Sequence, residues 1–209
     1  MIKALIIDLD NTVYPAKSIG EELFQPIISL MDEYKESLST EDLDKAKQEL
    51  TRTPFQKVAD KFGFPEEFKK KGVEILKHRK YDKPFDAYPD YPTLAGLNID
   101  KFLVTFGFVT LQNSKIDQLG VRGHFKKIYI VDPEETHETK KEVFQKIMDE
   151  FGYKPEELLA IGDDMESEIK AAKALGIPTY LFDAENRYQP GETDYYAKDY
   201  QLLKGLLKQ

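Results

Sequence analysis

The 209-residue sequence has no cysteine. That removes disulfides, thiolate metal ligands and a thiol nucleophile, and it fits a reducing compartment. No run approaches the roughly 18 apolar residues of a membrane-spanning helix. The apolar stretch before Asp8 is too short for the core of a signal peptide. Positive charge is also scarce, with 30 lysines and arginines against 38 acids for a formal charge of -8. Nucleic acid and anionic membrane surfaces usually call for a basic patch, so neither is expected as a partner. An anionic substrate remains possible where positive charge is gathered locally. Neither GxxxxGK[ST] nor GxGxxG occurs, which leaves no ATP or dinucleotide fingerprint. The three histidines, His78, His124 and His137, lie too far apart for a zinc spacing. What survives is an acidic globular chain, expected to be soluble and cytoplasmic.

With 41% apolar residues and 12% aromatics, the chain can bury one sizeable core, alone or with a smaller insertion. Residues 3–8 read as a buried strand, aliphatic and without polar alternation. The pattern then turns helical. Ile19, Leu23, Phe24, Ile27, Leu30, Met31 and Tyr34 recur at helical spacing, with Pro26 placed to bend that helix or delay its start. Ser39 with Asp42 opens a charged helix to about residue 50, and Pro54 and Pro65 open two more, ending near Phe62 and His78. After the proline-rich link 82–92, strands at 101–106, 127–131 and 158–161 alternate with helices at 110–119, 138–151 and 165–175. Gly120, Gly152 and Gly176 stop those helices. An apolar segment at 178–182 and a helix over 199–207 complete the chain. The tyrosines at 88, 91, 195, 196 and 200 read as packing residues. Alternating strands and helices imply an α/β fold with a parallel sheet covered on both faces. The expected division is a core of 1–14 and 85–209 interrupted by an all-helical insertion of 15–84.

In such sheets ligands bind beyond the carboxyl ends of the strands. Asp8, Asp10, Asn11 and Thr12 follow the first strand, and Thr105, Phe106 and Gly107 the second. Lys140 and Lys141 lie beyond the third, and Asp163, Asp164 and Glu168 beyond the fourth. Singly these are commonplace: acids cap helices, and lysines face solvent. Together the carboxylates suit a hard cation such as Mg²⁺, which would relieve their repulsion and supply positive charge to an acidic chain. The basic run 76–80 reads as a solvated helix end.

DLDNT after an apolar strand, a threonine ending the next core strand, a lysine opening a helix, and GDD-xxx-E together resemble the haloacid dehalogenase superfamily. The resemblance spans the whole core and implies a Rossmann-like sheet with an inserted helical cap of the C1 type. It implies Mg²⁺ as cofactor and a small phosphorylated metabolite as substrate. Asp8 would be the nucleophile and metal ligand. Asp10 would be the general acid and base, with its backbone carbonyl on the metal. Thr105 and the Phe106 backbone N–H would hold phosphate oxygens. Lys140 would neutralise charge, its spacing to Val143 and Phe144 favouring it over the adjacent Lys141. Asp163 would ligate the metal, with Asp164 and Glu168 supporting it.

Three positions depart from the usual pattern: Phe106 stands where asparagine is common, the lysine lacks a following proline, and Glu168 replaces a frequent aspartate. Dehalogenases of the superfamily lack the second aspartate, so Asp10 points to a phosphatase. A phosphomutase is the alternative enzyme, and a non-catalytic regulatory protein the alternative class. The opening through Tyr14-Pro15 and the insertion are also similar to pyrimidine 5′-nucleotidase-like members. Neither the particular substrate nor the oligomeric state can be read from these residues.

Overall fold

Ala4–Ile7 (β1) is buried on both faces, and its side chains alternate between two cores. Leu5 and Ile7 join one apolar cluster, while Ala4 and Ile6 join the other. A parallel strand covered by helices on both sides has no solvent face, which is why the run lacks polar alternation.

The computed structural model describes residues 1–34 and 39–207. Among them β1, Asp100–Phe106 (β2), Lys127–Val131 (β3), Leu158–Gly162 (β4), Thr179–Phe182 (β5) and Tyr195–Ala197 (β6) form one parallel sheet in the order β3-β2-β1-β4-β5-β6. The chain steps outward from β1 through β2 and β3, then crosses to the other side of β1 for the rest. The strand order therefore reverses at β1, and the crevice beyond β1, β2 and β4 is where such sheets receive ligands.

The helices are Lys17–Glu33 (α1), Thr40–Glu49 (α2), Phe55–Lys61 (α3), Glu66–His78 (α4), Tyr91–Ala95 (α5), Val109–Leu119 (α6), Lys140–Phe151 (α7), Lys170–Lys173 (α8) and Gln201–Leu206 (α9). The first five lie between β1 and β2, and α1 to α4 form a layer of their own. Ser39 caps α2, its Oγ accepting from the Asp42 N–H at 3.1 Å. Pro54 and Pro65 sit at the caps of α3 and α4. Phe68 centres this helical layer, stacked on Phe64 at 4.0 Å between ring centroids and flanked by Phe55 and Tyr34. α4 also packs on α6, which ties the layer to the sheet. No described helix is long and apolar enough to cross a membrane.

Several elements differ from the sequence expectation. Pro26 lies inside α1, which already begins at Lys17. α5 and the short edge strand β6 come from segments that carried no helix or strand signal. The last helix is shorter, because Tyr200 is held before it by its N–H on Asp90 Oδ2 at 2.6 Å. The helix expected over 165–175 is broken: residues 165–169 form a π-type turn with Ser167 at φ -109, ψ -105, and only 170–173 are α-helical.

Candidate active site

Asp8 continues directly from β1, its N–H bonded to Ile161 O at 3.0 Å beside β4. Across the crevice, Thr139 caps α7 in a capping box with Glu142, which makes Lys140 the first residue of that helix. Lys140 falls in line with Val143, Phe144, Ile147 and Met148 on the buried stripe, so its side chain runs inward. Its Nζ donates to Asp8 Oδ1 at 2.6 Å and to Glu168 Oε2 at 2.8 Å. Lys141, one position on, is exposed. The other Glu168 oxygen accepts the Asp164 N–H at 2.8 Å. Bending the backbone at Ser167 is what brings Glu168 inward to both partners, which accounts for the broken helix.

Asp8, Asp163 and Glu168 each place one carboxylate oxygen within 4.8 Å of the others. Asp164 turns elsewhere, its side chain accepting the Glu166 N–H at 2.8 Å. Three buried acids with one lysine between them cannot all carry charge comfortably. Burial, with Glu168 and Asp10 nearby, pushes Asp8 up to about 7. Burial, with Glu168 and Asp8, also holds Asp163 well above the usual carboxylate range. Burial acts the same way on Glu168, but Lys140 outweighs it and keeps that carboxyl low. Burial alone would lower Lys140, yet the two carboxylates hold it above the ordinary lysine range. The donor set is all oxygen, so it fits a hard divalent cation.

Asp10 faces a different set of partners. Lys115 Nζ donates to Asp10 Oδ1 at 2.8 Å, the Tyr14 hydroxyl donates to the same oxygen, and Gln112 Nε2 reaches Oδ2 at 2.9 Å. Burial would raise Asp10, but Lys115 and these hydrogen bonds hold it below its ordinary value. Gln112 also donates to Thr105 Oγ1 at 2.5 Å and lies 3.2 Å from Phe106 O. Thr105 is buried at the end of β2, whereas Phe106 is 36% exposed on the cavity wall.

The cavity above these groups is about 620 Å³ and extends under the inserted helices, where Leu23, Phe24, Phe55 and Leu76 line it. Several contacts join the two layers. Asn11, in the left-handed region at φ 56, donates to Thr51 O at 3.1 Å. Glu185 pairs with Arg52 and, at 3.1 Å, with Lys17. Arg187 donates to Asp163 O at 2.5 Å and lies 3.3 Å from its carboxylate oxygen Oδ2, which Arg52 also approaches at 3.9 Å.

The crevice gathers all the sequence candidates, Asp8, Asp10, Thr105, Phe106, Lys140, Asp163, Asp164 and Glu168, although the Asp164 carboxylate is engaged by the Glu166 N–H of its own loop. Sequence reasoning missed Tyr14, Gln112, Lys115, Arg52 and Arg187. For two of these a signal existed. Phe108, Leu111, Gln112, Lys115, Ile116 and Leu119 follow the spacing of one apolar helix face, and polar residues there need a buried partner.

A family model described as haloacid dehalogenase-like hydrolase matches residues 2–176. A glyceraldehyde 3-phosphate phosphatase of Methanopyrus kandleri is 26% identical over 193 residues, covering 86% of this chain and 83% of that protein. A HAD-type hydrolase of Bacillus subtilis, solved bound to magnesium, superposes with a TM-score of 0.67 at 18% identity over 100% of this chain and 99% of its own. A HAD phosphatase of Thermococcus onnurineus superposes with a TM-score of 0.62 at 17% identity, over 99% and 98% of the two chains. At such identities the two structures establish the fold.

Proposed function

The chain belongs to the haloacid dehalogenase-like hydrolases, and on that premise we propose that it is a Mg²⁺-dependent phosphatase acting on a small phosphomonoester through an aspartyl phosphate. The observation that carries the reading is the convergence of Lys140 on Asp8 and Glu168, beside Asp163. A buried lysine placed between a strand-end aspartate and a cation-competent acid set suits phosphoryl transfer, which is mostly positioning and neutralisation of oxygen charge.

In this reading Asp8 attacks phosphorus, the bond to the leaving oxygen breaks, and Asp10, in the protonated form it regains from water at the end of each turnover, delivers the proton to that oxygen. Asp10 then takes a proton from water as the water attacks phosphorus, the bond to Asp8 breaks, and inorganic phosphate leaves. Thr105 Oγ1 and the Phe106 backbone N–H hold the phosphoryl oxygens. Lys140 keeps Asp8 aimed and shares the negative charge. Asp8, Asp163 and the Asp10 backbone carbonyl would hold Mg²⁺, with Glu168 and Asp164 orienting that loop. When bound, the ion supplies positive charge to the phosphoryl group and to the acids around it. The inserted helices, residues 15–84 in the expected division, would act as a cap that closes over the crevice and excludes water.

The name of the Methanopyrus relative supports a phosphorylated small metabolite as substrate. The test is hydrolysis of p-nitrophenyl phosphate with Mg²⁺ or EDTA, by wild type and Asp8→Asn. Turnover should require both the metal and Asp8. Equal, metal-independent rates for the two proteins would overturn the reading.

A further inference from the structure

We propose that Lys115 is a positioning residue of the reaction, acting through Asp10, and that Gln112 sets Asp10 and Thr105 in register with each other. This rests on the phosphatase reading above, and concerns residues that no motif of the sequence singled out.

Lys115 stands on α6 with only 6% of its side chain exposed. Removing an ammonium from water is expensive unless it gains a close counter-charge. Among the described residues its one such partner is Asp10, at 2.8 Å. A lysine needed only to fill α6 could have been an apolar residue like its neighbours Leu111 and Ile116. Instead the buried charge meets the carboxylate two residues from the proposed nucleophile.

Gln112 is one turn earlier on the same face and 1% exposed. Its amide nitrogen faces Asp10 Oδ2, Thr105 Oγ1 and Phe106 O. Turning the amide over would set its oxygen against a carboxylate and a carbonyl, so the chemistry of the partners requires the nitrogen there. The approach is close. A side chain at Gly107, whose φ is +144, would meet Gln112 Cδ at 3.1 Å. Both Asp10 oxygens are thereby occupied from one helix, with the Tyr14 hydroxyl completing the set. The plane of the proton-handling carboxylate is fixed, and the same amide ties it to the threonine hydroxyl proposed to hold phosphate. Reactions of this kind are sensitive to misplacement of about 1 Å, so α6 sets the geometry of the proton transfer from outside the motifs.

The experiment compares Lys115→Met, Asp10→Asn and the double variant on an alkyl phosphate and on p-nitrophenyl phosphate, with Mg²⁺ present. An alkoxide must be protonated as it leaves, whereas p-nitrophenolate leaves without help. Lys115→Met should lower kcat/KM on the alkyl ester about 10- to 100-fold, a part of what general acid catalysis supplies. The loss of kcat/KM on p-nitrophenyl phosphate should be several-fold smaller, because this ratio reports the step in which the leaving group departs and not the later attack of water common to both esters. In the double variant the Lys115 effect should vanish, because a residue acting through Asp10 has nothing left to position. Lys115→Arg, which keeps the charge, should recover part of the alkyl rate. Equal losses on both esters, or losses that multiply in the double variant, would overturn the proposal. If Lys115→Met does not fold, Gln112→Met in the same cycle decides by the same criteria. A wild-type protein without metal-dependent turnover sinks the phosphatase reading itself, and that result is seen before any Lys115 variant is assayed.

Discussion

Gly162 and Glu168 compete for the same space: a Cβ at position 162 would lie 2.1 Å from the Glu168 carboxylate oxygen Oε1. The absence of a side chain at the end of β4 is what lets Glu168 fold back over the strand to Lys140 and the Asp164 N–H. Gly162→Ala should displace Glu168 and leave Lys140 with one carboxylate instead of two. We expect kcat to fall about 10- to 100-fold, the scale of one lost electrostatic contact in a dry site. Steady-state kinetics beside a thermal melt checks this. A fully active Gly162→Ala protein would show that Glu168 has no part in the site.

Lys140 and Lys141 are adjacent in sequence but opposite in environment, the first buried against Asp8 and the second exposed. Lys140→Met should abolish measurable phosphatase turnover, or reduce it by at least about 100-fold. Lys141→Met should change it by about twofold at most, since Lys141 lines the edge of the same cavity but is exposed, where a charge contact is worth little. A larger loss from Lys141→Met than from Lys140→Met would reverse the assignment.

That pair also illustrates how far the sequence was readable. Lys140 continues the stripe of Val143, Phe144, Ile147 and Met148, so spacing alone favoured it as the inward lysine. β1 to β4 stood out as strands, and β5 as an apolar segment, because aliphatic runs between glycine-stopped helices have few other uses in a chain of this size. β6 did not. Tyr195–Ala197 is short and half-buried, and it pairs only because Asp183 and β5 lie beside it. The break at Ser167 was equally hidden, since local periodicity supports a helix there and the pull of Lys140 on Glu168 is a tertiary effect. The partners of Asp10 were hidden for the same reason. A lysine and a glutamine on an apolar face announce a buried acceptor, but only the fold says which one.

The acid cluster makes the metal-free protein pH-sensitive. Burial pushes Asp8 from an ordinary 3.8 up to about 7. Between those values the folded protein binds a proton that the unfolded chain does not. Stability then falls as pH rises, because the slope follows protons bound by the unfolded state minus those bound by the native state. In EDTA the melting temperature should therefore decline from about pH 4 to about pH 7. Saturating Mg²⁺ should raise it most at the upper end of that range, where the acids are charged and metal binding stabilises the folded state. Thermal melts across pH with and without Mg²⁺ test this, and identical curves would contradict the acid cluster as the metal-binding group.

Among the inserted helices, Gly72 lets the Phe55 ring lie directly on α4, where a Cβ would come within 2.0 Å of it. Gly72→Ala should destabilise the protein even though alanine is the better helix former, because the rigid ring has to move. We expect a loss of about 1–3 kcal/mol, typical of overpacking. Phe68→Ala, which empties the centre of the same aromatic cluster, should cost about 3–5 kcal/mol. Urea unfolding measures both, and a stabilised Gly72→Ala protein would mean that Phe55 does not hold this position in solution.

Phe106 supplies the last prediction, because its ring stands exposed on the cavity wall next to the buried Thr105. Its backbone N–H is the proposed phosphate donor, and that function survives any side chain. The ring is left to meet whatever the phosphate is attached to. An aromatic face contributes to binding through area and stacking, worth about 0.5–1.5 kcal/mol beyond burial for a ring partner. Phe106→Ala should therefore lower kcat/KM for phenyl phosphate by about 5- to 10-fold, a loss of about 1–1.4 kcal/mol. For glycerol phosphate, which offers no ring, the change should be less than about twofold. Phe106→Asn should behave like Phe106→Ala on the aryl ester, since it also removes the ring. Parallel losses on both esters would instead place the effect in the backbone of β2, and equal rates for all three proteins would remove Phe106 from the binding surface.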